Sequence, residues 1–149
     1  MSRLLYALLP LAGGALIAAQ APINARLRIT LASPIGSALI SFLIGIVILL
    51  GAVVIVGDGG AVVSGLGGGP WWAYLGGAFG AFFVVATLVA APRIGVTTTF
   101  VAVIAGQVAA AMLIDRFGWL GVPSIPLTPE RVIALVLLAI SVLLLLRRG

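Results

Sequence analysis

The run IGSALISFLIGIVILLGAVVIV, residues 35 to 56, holds 22 residues and no charged side chain. About 20 residues at ~1.5 Å each are enough for a helix to cross a ~30 Å hydrocarbon core. The rest of the 149-residue chain is similar, with 63% hydrophobic and 7% charged residues and a mean hydropathy of +1.37. A soluble domain cannot hide that much apolar surface. The sequence therefore predicts an all-α membrane protein.

Apolar runs and their boundaries predict a bundle of five transmembrane helices, forming one integral membrane domain over residues 1–149. The predicted helices cover residues 4–23, 35–56, 71–91, 95–114 and 131–146. Ser33 and Pro34 are typical of a helix start, because serine caps free N–H groups and proline suits the first turn. The glycine-rich segment 57–70 is predicted to be a flexible loop, and a proline-rich loop is predicted before the fifth helix.

An odd number of spans places the two termini on opposite sides of the membrane. Arginines flank both sides: Arg3, Arg116 and Arg131 on the N-terminal side, and Arg26, Arg28, Arg93, Arg147 and Arg148 on the other. The positive-inside rule then favours a cytoplasmic C-terminus. The margin is two arginines, so the bias also permits insertion in both orientations. Two oppositely oriented copies would form an antiparallel dimer, equivalent to the ten-helix inverted repeat of many transporters.

The stretch AAQAPINARLR, residues 18 to 28, places two primary amides near the end of the first predicted span. Gln20 and Asn24 are four residues apart, so they share one face of a helix. Pro22 lies between them and removes one backbone hydrogen bond. One interpretation is a solute-binding or gating patch, because irregular backbone at membrane depth needs protein or a wet cavity beside it. The other is that the helix ends near Ala21 and both amides cap it among the headgroups.

Gln107 lies near the middle of the fourth predicted span. A primary amide facing lipid at that depth leaves its hydrogen bonds unmet, at a cost of roughly 2–7 kcal/mol. Gln107 must therefore face another helix, a partner subunit or a cavity. An interhelical hydrogen bond is the simplest alternative, and it contributes only about 0.6–2 kcal/mol.

Hydroxyl and small side chains give weaker signals. Thr98 and Thr99 could add hydroxyls to a solute pathway, although bonds back to their own helix are the more ordinary role of threonine. Small residues at four-residue spacing, such as Ser37, Ser41 and Gly45, are interpreted as packing positions, because they let helices approach closely in lipid. Asp115 and Arg116 are expected to form an ion pair at the membrane interface.

The composition also excludes several function classes. The chain has no cysteine and no histidine, and its three acids are Asp58, Asp115 and Glu130. No metal site, cofactor or catalytic nucleophile–base pair is therefore predicted, and an enzyme is not expected. Nucleic-acid binding is not expected either, because the arginines flank apolar runs and do not form a solvated basic face.

Three segments carry a resemblance to a known family. GALIAAQAPINARLRITLASPIGSALISFLIG (residues 14–45), PWWAYLGGAFGAFFV (70–84) and AGQVAAAMLIDRFGW (105–119) resemble the YdcZ-like family of the drug/metabolite transporter superfamily. The resemblance implies a five-helix half-transporter of the bacterial inner membrane. It also implies assembly with an antiparallel copy or an oppositely oriented paralogue. By resemblance, Gln20, Asn24 and Gln107 fall on the family's polar positions.

The expected function is therefore a secondary transporter that moves a small polar solute by alternating access between two opposed protomers. The predicted substrate-binding residues are Gln20, Asn24, Gln107, Thr98 and Thr99. Small multidrug exporters related to this family use a central membrane glutamate, and the spans here contain none, so proton-coupled cation export is not carried over. Two alternatives stay open: a passive channel for a small ion, and a non-transporting assembly subunit.

Overall fold

Five helices in the computed structural model are long and apolar enough to cross a membrane. The structure describes residues 3–147, and their side chains from residue 6 onward. The five candidate spans are Tyr6–Leu31, Pro34–Val56, Trp71–Ile94, Val96–Phe117 and Pro129–Leu146. No strand occurs within residues 3–147. The all-helical, five-span prediction is confirmed.

The helices follow one another with short connections. They are α1 (Arg3–Leu31), α2 (Pro34–Val56), α3 (Gly59–Gly65), α4 (Gly76–Ile94), α5 (Val96–Phe117) and α6 (Pro129–Leu146). Short 3₁₀ helices precede α4 at Trp71–Leu75 and follow α5 at Trp119–Gly121. Of the arginines used to predict orientation, Arg148 and the side chain of Arg3 lie outside the described part of the chain.

The chain divides into two compact units, the first ending at Val89 and the second beginning at Ala90. The first unit contains α1, α2, α3 and most of α4, and the second contains α5 and α6. Each unit is described by itself below. The single domain over residues 1–149 stays a prediction.

α1 is one continuous helix that passes through Pro22 and ends at Leu31. It therefore extends well beyond the predicted end at residue 23. Pro22 cannot donate a backbone hydrogen bond to the carbonyl one turn earlier, but spanning helices tolerate proline when neighbouring groups compensate. The interpretation in which the helix ends near Ala21 is wrong, and Gln20 and Asn24 both lie inside the helix.

The turn from α1 to α2 is closed by a serine cap, as predicted. Ser33 has extended backbone angles, and its hydroxyl accepts a hydrogen bond of 2.9 Å from the N–H of Gly36. The backbone carbonyl of Ser33 accepts a second bond from the N–H of Ser37 at 3.1 Å. Pro34 occupies the first turn, where it has no intrahelical bond to lose. The cap thereby satisfies one free N–H group at the start of α2, that of Gly36, and the bond from Ser37 is the first regular bond of the helix.

The core of the first unit forms where α2 packs against α4. Ala38, Val84 and Leu88 are its buried members, and Phe42 and Phe83 are among the half-buried side chains around them. Leu88 is completely buried. Ala38 thus joins α2 to the buried cluster that the two α4 residues form.

The glycine-rich segment after α2 is more ordered than predicted. Gly57 ends α2 in the left-handed conformation with φ 83°, a conformation that glycine adopts without steric penalty. The chain then forms α3, and a 3₁₀ helix follows before α4 begins. The hydroxyl of Tyr74 accepts a 3.0 Å hydrogen bond from the N–H of Gly67. Part of the predicted loop is thus a short helix, followed by a turn that Tyr74 holds.

In the second unit, α5 packs against α6, and an ion pair joins their adjacent ends. Arg131 Nη1 donates to Asp115 Oδ2 at 2.9 Å, and each side chain is about one-third exposed. The predicted pairing of Asp115 with Arg116 is therefore wrong. The segment between the helices folds back on α5, because Ile125 N–H donates to the carbonyl of Asp115 at 2.8 Å. The hydroxyl of Ser124 donates to the carbonyl of Arg116 at 3.0 Å.

Asp115→Asn is expected to lower the free energy of unfolding by about 1 kcal/mol, because it removes a charge pair that is partly open to solvent. Unfolding in mixed micelles measures this change. Arg116→Gln is the control, since it removes a neighbouring charge and leaves the Asp115–Arg131 bond in place. An equal loss in both variants would show that the ion pair has no specific effect.

Ser33→Ala is expected to destabilise the start of α2 by about 1 kcal/mol, because the N–H of Gly36 loses its side-chain acceptor. Ser33→Asp, which keeps an acceptor at the same place, should retain most of the stability. Thermal unfolding of the two variants in one detergent tests the cap. The interpretation would be contradicted if alanine and aspartate behaved alike.

Candidate functional site

Two polar contacts of the first unit join α1 to α2. Gln20 Nε2 donates to Ser41 Oγ at 3.1 Å. One turn further along α1, the backbone carbonyl of Asn24 accepts a 2.7 Å bond from Ser37 Oγ. A step of four residues forward on α1 matches a step of four back on α2, as an antiparallel pair requires. The two helices are thus held by hydrogen bonds at two successive turns.

The side chain of Asn24 is buried without complete hydrogen bonding. Asn24 is 4% exposed, and its side-chain nitrogen has no hydrogen-bond partner within the described residues. The Ser37 bond does not help, because it uses the backbone carbonyl of Asn24. A buried donor left unmet costs about 1–3 kcal/mol. Native structures keep few such groups, and each requires a physical explanation.

A groove of about 250 Å³ lies beside the Gln20–Ser41 contact. Its lining residues are Gln20, Ser41, Phe42, Gly45, Ile46 and Leu49. Gln20 and Ser41 form its polar end, and the residues from Phe42 onward form an apolar wall along α2. Their mutual bond leaves Gln20 with its Oε1 acceptor and a second N–H, and it leaves the Ser41 hydroxyl proton free to donate. The polar end can therefore both donate and accept.

The two threonines predicted to add hydroxyls to a solute pathway lie in the first turn of α5. Thr98 and Thr99 are both buried. The hydroxyl of Thr99 donates to the carbonyl of Gly95, in the preceding turn, at 2.8 Å. That bond is the ordinary role of a helical threonine, so the structure gives Thr99 a local partner.

Gln107 is the twelfth of the 22 residues of α5, and its side chain is exposed. Eight residues separate it from Thr99, or about 12 Å along the helix axis. Gln107 and the two threonines belong to the second unit, whereas Gln20 and Asn24 belong to the first. Of the five predicted binding residues, the structure brings Gln20 and Asn24 together on one face of α1. Their role in binding stays a prediction, as does that of the other three.

Sequence reasoning missed the polar and groove-lining positions of α2. Ser37, Ser41 and Gly45 were interpreted as packing positions only. The signal that could have identified them is their spacing, which repeats the four-residue spacing of Gln20 and Asn24. In an antiparallel helix pair joined by a tight turn, two matching spacings place the polar groups opposite each other.

The chemistry available at this site is hydrogen bonding without charge. Between residues 6 and 56, the charged residues are Arg26 and Arg28. Both lie toward the C-terminal end of α1, beyond Asn24. The groove can therefore hold a polar group by donors and acceptors, but its lining contains no titratable side chain.

Comparison with known proteins places the chain in a family. No curated protein and no solved structure matches it. A family model described as "Putative inner membrane exporter, YdcZ" matches residues 5–144. That match covers nearly the whole chain, and the description is that of a transport protein, which is not an enzyme class. Together with the five apolar helices, it identifies a multi-pass protein of the inner membrane. The chain belongs to the YdcZ family.

Proposed function

We propose that this protein is half of a secondary transporter, in which two oppositely oriented copies move a small polar solute by alternating access. The observation that supports the proposal most directly is the unmet side-chain nitrogen of Asn24, buried one turn from Gln20. A buried amide donor without a protein partner is costly. A solute or its accompanying water would supply the missing acceptor when it passes.

The exposed amide of Gln107 is an argument for a second protomer in the transporter. In the middle of a spanning helix, an amide that faces lipid loses hydrogen bonds worth several kcal/mol in hydrocarbon. A second protomer can supply the partner, because a primary amide both donates and accepts. In an antiparallel pair, residues at mid-span come to the same depth, so each Gln107 can approach its copy.

The small arginine bias supports the same arrangement. An excess of two arginines on one side sets a weak orientation preference, so both orientations are accessible to one sequence. Five spans then give an inverted pair without gene fusion, with the solute site at the interface between the halves. In this arrangement the C-terminus of one copy is cytoplasmic and that of the other is not.

One observation favours a second candidate, a non-transporting assembly subunit. Gln20 already has a protein partner in Ser41, and Thr99 has one in its own helix. If the polar side chains serve only to join helices, their replacement should damage assembly. Transport by a partner protein would then be lost only because the assembly is lost. The two candidates therefore differ in whether the purified protein alone moves a solute.

Asn24→Leu is expected to reduce solute flux at least tenfold while leaving thermal stability equal or higher, because it removes a buried donor that has no partner. Gln20→Leu should also reduce flux, with some loss of stability from the broken bond to Ser41. The measurement is swelling of proteoliposomes in urea, acetamide or glycerol. Ser141→Ala, a polar-to-apolar change in α6, is the control.

Three results would contradict this proposal in different ways. Flux that is absent from the wild-type protein for every probe would favour the assembly subunit. Unitary conductance steps in a planar bilayer would identify a channel. Flux that survives both Gln20→Leu and Asn24→Leu would remove these amides from the pathway.

Gln107→Leu is expected to weaken self-association by about 0.6–2 kcal/mol, the usual contribution of one polar contact between spanning helices. The dimer fraction in lipid nanodiscs, measured by energy transfer between labelled copies, reports the change. Thr97→Val, at the exposed first turn of the same helix, is the control. A dimer fraction that is unchanged by Gln107→Leu would place this amide outside the subunit contact.

A further inference from the structure

We infer that the groove beside the Gln20–Ser41 contact, which α2 lines along most of its length, binds an uncharged amphiphile. Its hydrogen-bonding head lies at Gln20 and Ser41, and its apolar body lies along Gly45, Ile46 and Leu49. This inference rests on the proposed function, because it names the class of solute at that site. The evidence for the ligand class is the distribution of polar and apolar groups along the groove, and the unmet amide of Asn24 is not used.

The polar end of the groove fits a neutral head group that both donates and accepts. Gln20 and Ser41 are joined at 3.1 Å, which fixes their positions relative to each other. An acceptor on Gln20 and a hydroxyl proton on Ser41 stay available. An amide or alcohol head can use both, whereas a carboxylate offers no proton and an ammonium group no acceptor.

The depth of this end disfavours a charged head. Ser41 is the eighth of the 23 residues of α2, about 10 Å along the helix axis from its start. A charge at that depth loses much of its hydration and needs a partner of opposite sign. Arg26, the nearer of the two arginines, is six residues from Gln20, or about 9 Å along α1. It lies on the side away from the apolar part of the groove, and the α2 sequence has no charge at all.

The apolar end fits a hydrocarbon body and leaves space for it. Ile46 is 49% exposed and Leu49 is 65% exposed, so the wall is open to a ligand that arrives from within the membrane. A Cβ atom built on Gly45 meets no atom within 4 Å. The missing side chain of Gly45 therefore leaves real space in the groove.

The size of the groove limits the ligand. Its volume of about 250 Å³ lies just below the range of ~300–1,000 Å³ that is typical of pockets for drug-sized molecules. A short-chain amide or alcohol fits within this volume, whereas a large multi-ring compound would extend beyond the open side of the groove. The predicted class is therefore a small neutral amphiphile.

The test uses hexanamide carrying a diazirine on its tail, photolysed with the full-length protein in lipid nanodiscs. Mass spectrometry locates the label. We expect labelling concentrated on the α2 segment from residue 45 to residue 49, and competed by unlabelled hexanamide. Hexanoate and hexylammonium should compete at least tenfold more weakly. Gln20→Leu and Ser41→Ala should each weaken binding about five- to tenfold, the effect of losing one or two hydrogen bonds.

Gly45→Leu provides the sharpest variant, because Gly45 lines the groove and a Cβ atom there meets no protein atom within 4 Å. Gly51→Leu is its matched control. It is the same substitution in the same helix, at a position that also has open space and lies outside the groove lining. Labelling at the groove should fall at least fivefold in Gly45→Leu and stay unchanged in Gly51→Leu.

Several results would overturn the inference. Labelling spread evenly over the membrane-facing helices would show partition into lipid only, and an equal loss in both glycine variants would exclude the groove. Competition by hexanoate or hexylammonium as strong as by hexanamide would exclude an uncharged ligand. Groove labelling without solute flux would support the inference and contradict the proposed function. Flux of a polar solute without groove labelling would do the reverse.

Discussion

Hydrocarbon provides no hydrogen bonds, so each polar group on a spanning helix must find a partner in the protein or in water. Three hydroxyls on the described spanning helices meet that requirement as donors. Thr87 and Thr99 donate to carbonyls of their own helices, and Ser37 donates across to α1. The amide of Asn24 does not meet it within the described residues. Asn24 therefore differs from these hydroxyl positions, because its buried donor is left without a protein acceptor among the described residues.

Hydropathy was sufficient to predict the five spans, because a run such as residues 35–56 has no other stable environment. Predictions that depended on one or two neighbouring residues were less successful. Pro22 suggested a helix end, yet α1 continues to Leu31, because a membrane helix that lacks one backbone bond still gains from keeping the rest. Asp115 bonds to Arg131 and not to its neighbour Arg116. That partner is set by how the segment before α6 folds back on α5, which no sequence pattern of single residues reveals.

The candidate site was predictable to the extent that its residues are chemically unusual. Gln20 and Asn24 stood out as amides in an apolar run, and the structure places them inside α1 on one face. Ser41 and Gly45 did not stand out, because small residues at four-residue spacing are common at helix contacts. Their part in the groove depends on register, since only the pairing of α1 with α2 decides which of them faces Gln20. The register of α1 against α2 is therefore known only from the structure.

The small residues Ser37, Ser41 and Gly45 keep one four-residue spacing along α2, but their chemistry changes along it. At Ser37 and Ser41 it carries hydroxyls that tie α2 to α1. One turn further, Gly45 carries no side chain, so the groove has open space beyond the point where the hydrogen bonds stop. A groove next to a fixed contact holds its polar end in place before any ligand arrives, which lowers the ordering cost of binding. The small residues at this spacing thus serve two purposes: the serines bond to α1, and the glycine leaves the opening beside that contact.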